Sequence, residues 1–207
     1  MKIKLITVAL LTALGTTVTV AADNDIAALV EQYIASGFKQ GEKQHTERIV
    51  QDETQKQCTT YRNKIPSEMQ KAFMERERAT IKYPESGKLS GNWEQGQKTF
   101  TDGFAWRVGT IMPDKPDAVR GGNCYACHAA DPKEVAAGNI GSTLTGYGKL
   151  RGNTPETIKY TYEKIYNSNT YMPCSSMPRL GHNGVLTPEQ IADIVAFLVD
   201  PESPVNK

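Results

Sequence analysis

The chain has 207 residues, 39% of them hydrophobic and 23% charged, which suits one core of ordinary size and excludes a disordered or fibrous class. A formal net charge of +1 offers no electrostatic footprint for nucleic acid or an anionic lipid surface.

Residues 1–22 differ in composition from the rest. Lys2 and Lys4 precede the apolar run LITVALLTAL, and small residues end at Val20-Ala21-Ala22 before Asp23. This is the pattern of a secretory signal peptide cleaved after Ala22. Its apolar run is well short of the ~20 residues that span a bilayer, and no later segment is apolar enough to do so. Cleavage removes two lysines and no acid, taking the charge from +1 to −1. Export to the periplasm, where disulfides persist and c-type haem is attached, then governs how the cysteines are read.

Residues 23–90 read as a helical extension. ADNDIAALVEQYIASGFKQ predicts an amphipathic helix on Ile26, Leu29, Val30, Tyr33 and Ile34, and PSEMQKAFMERERATIKYP a second on Met69, Phe73 and the stem of Arg76. Between them His45 sits in the polar stretch KQGEKQHTER, where a solvated side chain is expected. The extension balances eleven basic against eleven acidic residues, the pattern of a solvated face with room for a wrapping or partner-binding role. Pro84-Glu85-Ser86-Gly87 and Ser90-Gly91 mark a boundary, so residues 91–207 form the second unit.

That unit opens with a helix from Asn92 that places Trp93, Gly96 and Phe100 together, the glycine allowing another helix to approach. GGNCYACHAA follows, with Cys124, Cys127 and His128 in C-x-x-C-H spacing. A structural zinc site wants four ligands, and the second close pair is missing, because Cys58 and Cys174 each stand alone. A thioredoxin-like motif needs a preceding strand, and the Pro-rich MPDKPDAV does not supply one. Covalent haem is the remaining reading: thiols three residues apart can reach both vinyl groups of one porphyrin, and the adjacent histidine becomes the proximal ligand.

Downstream, Thr154 caps a helix from Pro155 on Ile158, Tyr162 and Ile165. The loop YMPCSSMPRLGHNG then offers Met172, Cys174, Met177 and His182 as candidates for the sixth iron position. Two Met-Pro pairs in a polar loop lack the periodicity of a packed face. Thr187-Pro188 with Gln190 forms a capping box for a last helix on Ile191, Ile194, Val195 and Leu198, ended by Asp200-Pro201. No strand pattern occurs in 91–207, so three or more helices around a haem are expected.

This order of elements resembles the class I cytochrome c fold, an all-α haem domain here preceded by a helical extension. At GNIGSTLTGYGKLRG (138–152) and MPRLGHNGVLTPEQIADIVAFLVDPESPVN (177–206) the chain resembles the small monohaem subunits of the SoxAX cytochromes, the SoxX family, over about its last 117 residues. The resemblance implies one covalent haem c on Cys124 and Cys127, with His128 proximal and Met177 distal; Met172 is the runner-up, since YMPCSS duplicates the Met-Pro pair. It implies a larger SoxA-type cytochrome subunit as partner and a downstream cytochrome as electron acceptor. The complex joins thiosulfate to a cysteine of a sulfur-carrier protein, as an L-cysteine S-thiosulfotransferase whose catalytic centre lies on the larger subunit. Cytochromes of this class commonly carry proline after the glycine of the Gly-rich loop, where its carbonyl orients the histidine. Here Ser142 follows Gly141, and another residue's carbonyl can serve.

Once haem takes two cysteines, Cys58 and Cys174 are expected to pair across the extension and the methionine loop, closing a loop of over a hundred residues. A bond to a partner subunit and Cys174 as an iron ligand are the competitors. Two other functions compete with the complex subunit: an independent soluble electron carrier, and a peroxidase-like enzyme using His182 beside an open iron. Residues 91–207, with eleven basic and twelve acidic side chains, lack the single-sign block of many small carriers.

Overall fold

A computed structural model describes residues 23–37, 49–104, 115 and 117–207. The expected leader and His45 lie outside the described residues. The described residues contain helices and no strand: α1 Asp23–Gly37, α2 Glu53–Thr60, α3 Ser67–Arg78, α4 Trp93–Thr101, α5 Tyr147–Arg151, α6 Pro155–Tyr166 and α7 Pro188–Val199.

Each of the three helices expected in the second unit starts at its polar cap. Asn92, Thr154 and Thr187 accept hydrogen bonds from the N–H groups of Gln95, Thr157 and Gln190, satisfying donors that the first turn leaves orphaned. At Thr187 the Gln190 side chain also returns to the cap N–H, completing the box. The expected stripe on α7 is buried, but so are Ala192, Ala196, Phe197 and Val199. A helix buried nearly all round is central, and α7 is the axis on which α4, α5 and α6 pack.

Helix α4 crosses α7 at Gly96. A Cβ there would lie 2.5 Å from the Asp193 carbonyl carbon and 2.9 Å from the Phe197 Cβ, so hydrogen alone fits. Phe100, four residues on, meets Phe197 at a ring distance of 5.2 Å and the edge of Tyr125 at 4.9 Å. From the other side α6 contributes Tyr162 and Ile165, both buried.

Residues 49–90 are joined to this body along their length. Glu77 on α3, 2% exposed, accepts from Thr54 and from the Asn167 amide, and Arg78 donates to the Thr170 carbonyl at 3.1 Å. Tyr162 donates to the Lys82 carbonyl at 2.8 Å, and Tyr83 stacks on Tyr162 at 5.6 Å. The 84–91 boundary is tied at both ends, Pro84 being buried and the Gly91 N–H donating to the Ala192 carbonyl, while residues 85–88 are exposed. Two features go beyond the sequence reading. Arg76 uses its guanidinium, which donates to Glu77, Gln57 and Thr54, as well as its stem. The short helix α2, capped by Asp52 and Gln55, lacks an apolar stripe and so left no periodic signal. Helix α1 forms as expected, with Ile26, Leu29, Val30 and Tyr33 exposed among the described residues.

Candidate functional site

The C-x-x-C-H stretch is one tight helical turn. Asn123 enters it in the left-handed region (φ 48°), and the Cys124 carbonyl accepts from both the Cys127 N–H (3.1 Å) and the His128 N–H (2.9 Å). Residues four apart on such a turn share a face, and Cys124 and His128 line one cleft. The turn is tied to the end of α4 by Gly122 N–H to the Thr99 carbonyl and Asn123 N–H to the Asp102 carbonyl.

The Gly-rich loop lies alongside. N–H groups of Gly138, Gly141 and Leu144 donate to the carbonyls of Tyr125, Cys127 and Ala129 at 2.7–2.8 Å. At Gly141 the His128 ring fills the space that a side chain would take: a Cβ would sit 2.5 Å from Nδ1 and 2.7 Å from Nε2. His128 Nδ1 lies 2.7 Å from the Ser142 carbonyl oxygen. A carbonyl only accepts, so Nδ1 carries the proton and Nε2 keeps a lone pair for a metal. The task often given to a proline carbonyl thus falls to Ser142 itself, because the backbone and not the side chain does the orienting.

His128 and Met177 line one cleft. Its walls include Cys124, Leu144, Ile194 and Leu198. The Met177 carbonyl accepts from Ser168 Oγ at 2.7 Å, and its N–H donates to Ser175 Oγ. The other sixth-ligand candidates fall elsewhere. Met172 is 58% exposed, and His182 lines a separate crevice with Tyr166 and Leu186. Cys174 is bonded to Cys58, with a Cα–Cα distance of 5.5 Å, so the expected pairing is present and its two competitors are not.

Cys124 and Cys127 form no disulfide. Burial pushes the Cys124 thiol up to about 12, the reverse of the depressed value a thiolate nucleophile needs. Among the described residues no three of His, Cys, Asp and Glu converge as a metal cluster. A buried, unactivated Cys124 thiol on the wall of a largely apolar cleft, with a tautomer-fixed imidazole beside it, suits a flat apolar macrocycle and suits neither a thiol redox centre nor zinc. Residues 93–200 match the Cytochrome c family. The chain belongs to the cytochrome c family. The family carries covalently bound haem c, and the residues lining the cleft fit that group in polarity and donor set.

This cytochrome c is also 46% identical over 158 residues to an uncharacterized lipoprotein of Aquifex aeolicus (strain VF5), a match covering 76% of this chain and 73% of that one. No helix among the described residues is long and apolar enough to cross a membrane. Three features of the site carried no sequence signal. Arg151 and Lys164 are the cations on the cleft wall, Lys164 with its ammonium pulled below the ordinary value by burial. Arg179, only 7% exposed, lies between the carboxylates of Asp52 and Glu77. The pattern Met-Pro-Arg-Leu-Gly shows that an arginine follows Met177, but its partners are more than a hundred residues away.

Proposed function

We propose that this cytochrome c is a one-electron carrier in which His128 and Met177 are the two axial iron ligands and Cys124 and Cys127 the thioether positions. The observation that carries the proposal is that His128, with Nδ1 held by the Ser142 carbonyl, and Met177 line the same apolar cleft. Bound haem c supplies one-electron iron chemistry. His128 offers its Nε2 lone pair in a fixed orientation, and Met177 offers a neutral thioether, a combination that raises the potential of a haem. The apolar walls exclude water, and Arg151 and Lys164 are the residues that would pair with the two propionate carboxylates. Replacing Met177 by Ala is expected to abolish the weak sulfur-to-iron band at the red edge of the ferric spectrum and to admit carbon monoxide to the ferrous form. Replacing Met172 should change neither, and the reverse pattern would overturn the assignment.

The finer reading, resting on the resemblance at 138–152 and 177–206, is the electron-transfer subunit of a heterodimeric thiosulfate-oxidising complex of the SoxAX type. It would receive electrons from a larger SoxA-type cytochrome and pass them to a downstream cytochrome, the sulfur-carrier protein being engaged by the complex. Copurification with such a partner and thiosulfate-dependent haem reduction support it. A chain that stays monomeric and exchanges electrons directly with a terminal oxidase is instead an independent carrier. Periplasmic location after cleavage at Ala22 belongs to the same reading. Residues 1–22 contain no cysteine, the first in the chain being Cys58, and a mature protein beginning at unmodified Asp23 is expected by mass. A lipid-modified terminus would refute it.

A further inference from the structure

The loop that carries Met177 has little structure of its own. Cys174 stands in the left-handed region at φ 56°, uncommon for a residue with a side chain, and Ser175 N–H reaches the Met172 carbonyl at a long 3.2 Å. Two ties come from residues 168–170: Ser168 Oγ to the Met177 carbonyl, and Ser175 N–H to Asn169 Oδ1 at 2.9 Å. That short turn is itself held from α3, through Asn167 to the Glu77 carboxylate at 3.0 Å and Arg78 to the Thr170 carbonyl.

The N-terminal extension then grips the loop on both sides of the methionine. Three residues before it, Cys174 is bonded to Cys58 on α2. Two residues after it, the Arg179 guanidinium pairs with Asp52 and, at 3.5 Å, with Glu77. Arg179 and Glu77 are both buried, so neither can lose its partner without leaving an uncompensated charge. The Asp52 carboxylate uses its other oxygen, Oδ1, to cap α2 through the Gln55 N–H at 2.8 Å, which couples the position of Arg179 to that of the helix carrying Cys58. The two clamps therefore close on one rigid segment.

We infer that residues 52–77 are a brace for the methionine loop, with Asp52, Cys58, Glu77, Cys174 and Arg179 acting as positioning residues for the distal side of the haem cleft. The inference rests on the reading of Met177 as the distal ligand. A thioether is neutral, weakly donating and carried on three rotatable bonds, so its residence at a metal depends on where the loop holds its backbone. The brace supplies that placement from outside the segment matched by the family, which begins at residue 93.

The test uses the full-chain holoprotein carrying Cys58→Ser and Cys174→Ser together with Asp52→Asn. Removing both cysteines leaves no stray thiol, and asparagine still caps α2 while giving up the charge opposite Arg179. Three readouts are compared with wild type: the ferric sulfur-to-iron band, the rate of carbon monoxide binding to the ferrous form, and amide exchange at Ser175 and Asn183. The band is expected to weaken, carbon monoxide binding to accelerate on the order of tenfold or more, and exchange in the loop to quicken while α7 keeps its protection. Unchanged values of all three overturn the brace. Faster exchange with an unchanged band and rate also overturns it, because the loop is then held without the ligand depending on it. Met177→Ala separates the two claims: if that variant keeps the wild-type spectrum, the ligand assignment fails on its own, and the exchange readout alone decides whether the brace holds the loop. Should the triple variant not fold, Arg179→Lys, which retains the charge and loses the fork, is read by the same three measurements.

Discussion

Gly141→Ala is the most direct perturbation of the His128 side of the cleft. The added methyl would lie 2.5 Å from Nδ1 and 2.7 Å from Nε2, where unstrained heavy atoms keep about 3.5 Å or more, so the ring must retreat by about 1 Å. Such a retreat would stretch or misalign the 2.7 Å contact from Nδ1 to the Ser142 carbonyl. Overpacking costs about 1–3 kcal/mol and the disrupted hydrogen bond about 1 kcal/mol, so a destabilisation of about 2–4 kcal/mol is expected. The backbone cannot yield instead, since the Gly141 N–H is fixed to the Cys127 carbonyl at 2.8 Å. Chemical denaturation of the holoprotein measures the stability, and the ferric spectrum and midpoint potential report the ligand. With its orienting hydrogen bond disrupted, His128 should show a mixed-spin spectrum and a shifted potential. Ser142→Ala keeps the carbonyl and is the control, expected within about 0.5 kcal/mol of wild type. A Gly141→Ala protein with wild-type stability and an unchanged low-spin spectrum would refute the close-approach argument.

Gly96→Ala should force α4 off α7, because its methyl meets Asp193 backbone and the Phe197 Cβ at 2.9 Å; a loss of about 3 kcal/mol or more in thermal unfolding is expected, and a loss below 1 kcal/mol would show that the crossing is plastic. Glu163, buried, accepts from the hydroxyls of Tyr83 and Tyr171 at 2.7 and 2.6 Å, and burial together with that carboxylate pushes the Tyr83 phenol up to about 12. In Glu163→Gln the near-ultraviolet tyrosinate titration should begin at lower pH and stability should fall by about 1–3 kcal/mol; an unmoved titration would sink the assignment. Acid should loosen the Arg179 cluster in two stages. Burial and the Arg179 charge hold His182 below its ordinary 6.5, outweighing Glu77 and Asp52, so below 6.5 the unfolded chain takes up the proton first and stability falls with pH. Burial works against ionisation of Asp52, but the Gln55 N–H, Arg179 and His182 prevail and keep it below 3.8; its contribution is present above 3.8 and is lost as pH falls through the lower folded value. His182→Gln should abolish the first stage in denaturant midpoints and shrink the second without removing it, because Gln55 and Arg179 still hold Asp52 low; an unaltered upper slope would contradict this.

What the residues alone record is whatever a single turn of chain decides. Cys124, Cys127 and His128 form a pattern readable within one helical turn, and Asn92, Thr154 and Thr187 announce helix starts because a cap acts across three residues. Counting thiols made Cys58 with Cys174 the favoured pairing and left a partner's thiol and the iron as competitors; the fold, which brings the two Cα atoms to 5.5 Å, decided it. The choice between Met172 and Met177 was also left to the fold. Both precede proline in the same polar loop, and only packing puts one on the cleft wall and leaves the other in solvent. The same holds for α2, whose eight residues carry no apolar stripe and which is fixed instead by a cap, a disulfide and a buried carboxylate on the neighbouring helix. It holds equally for Arg179, whose partners lie about a hundred residues upstream or more. Contacts of that span leave no periodicity to read, because they are set by how the chain folds back on itself and not by its local repeat.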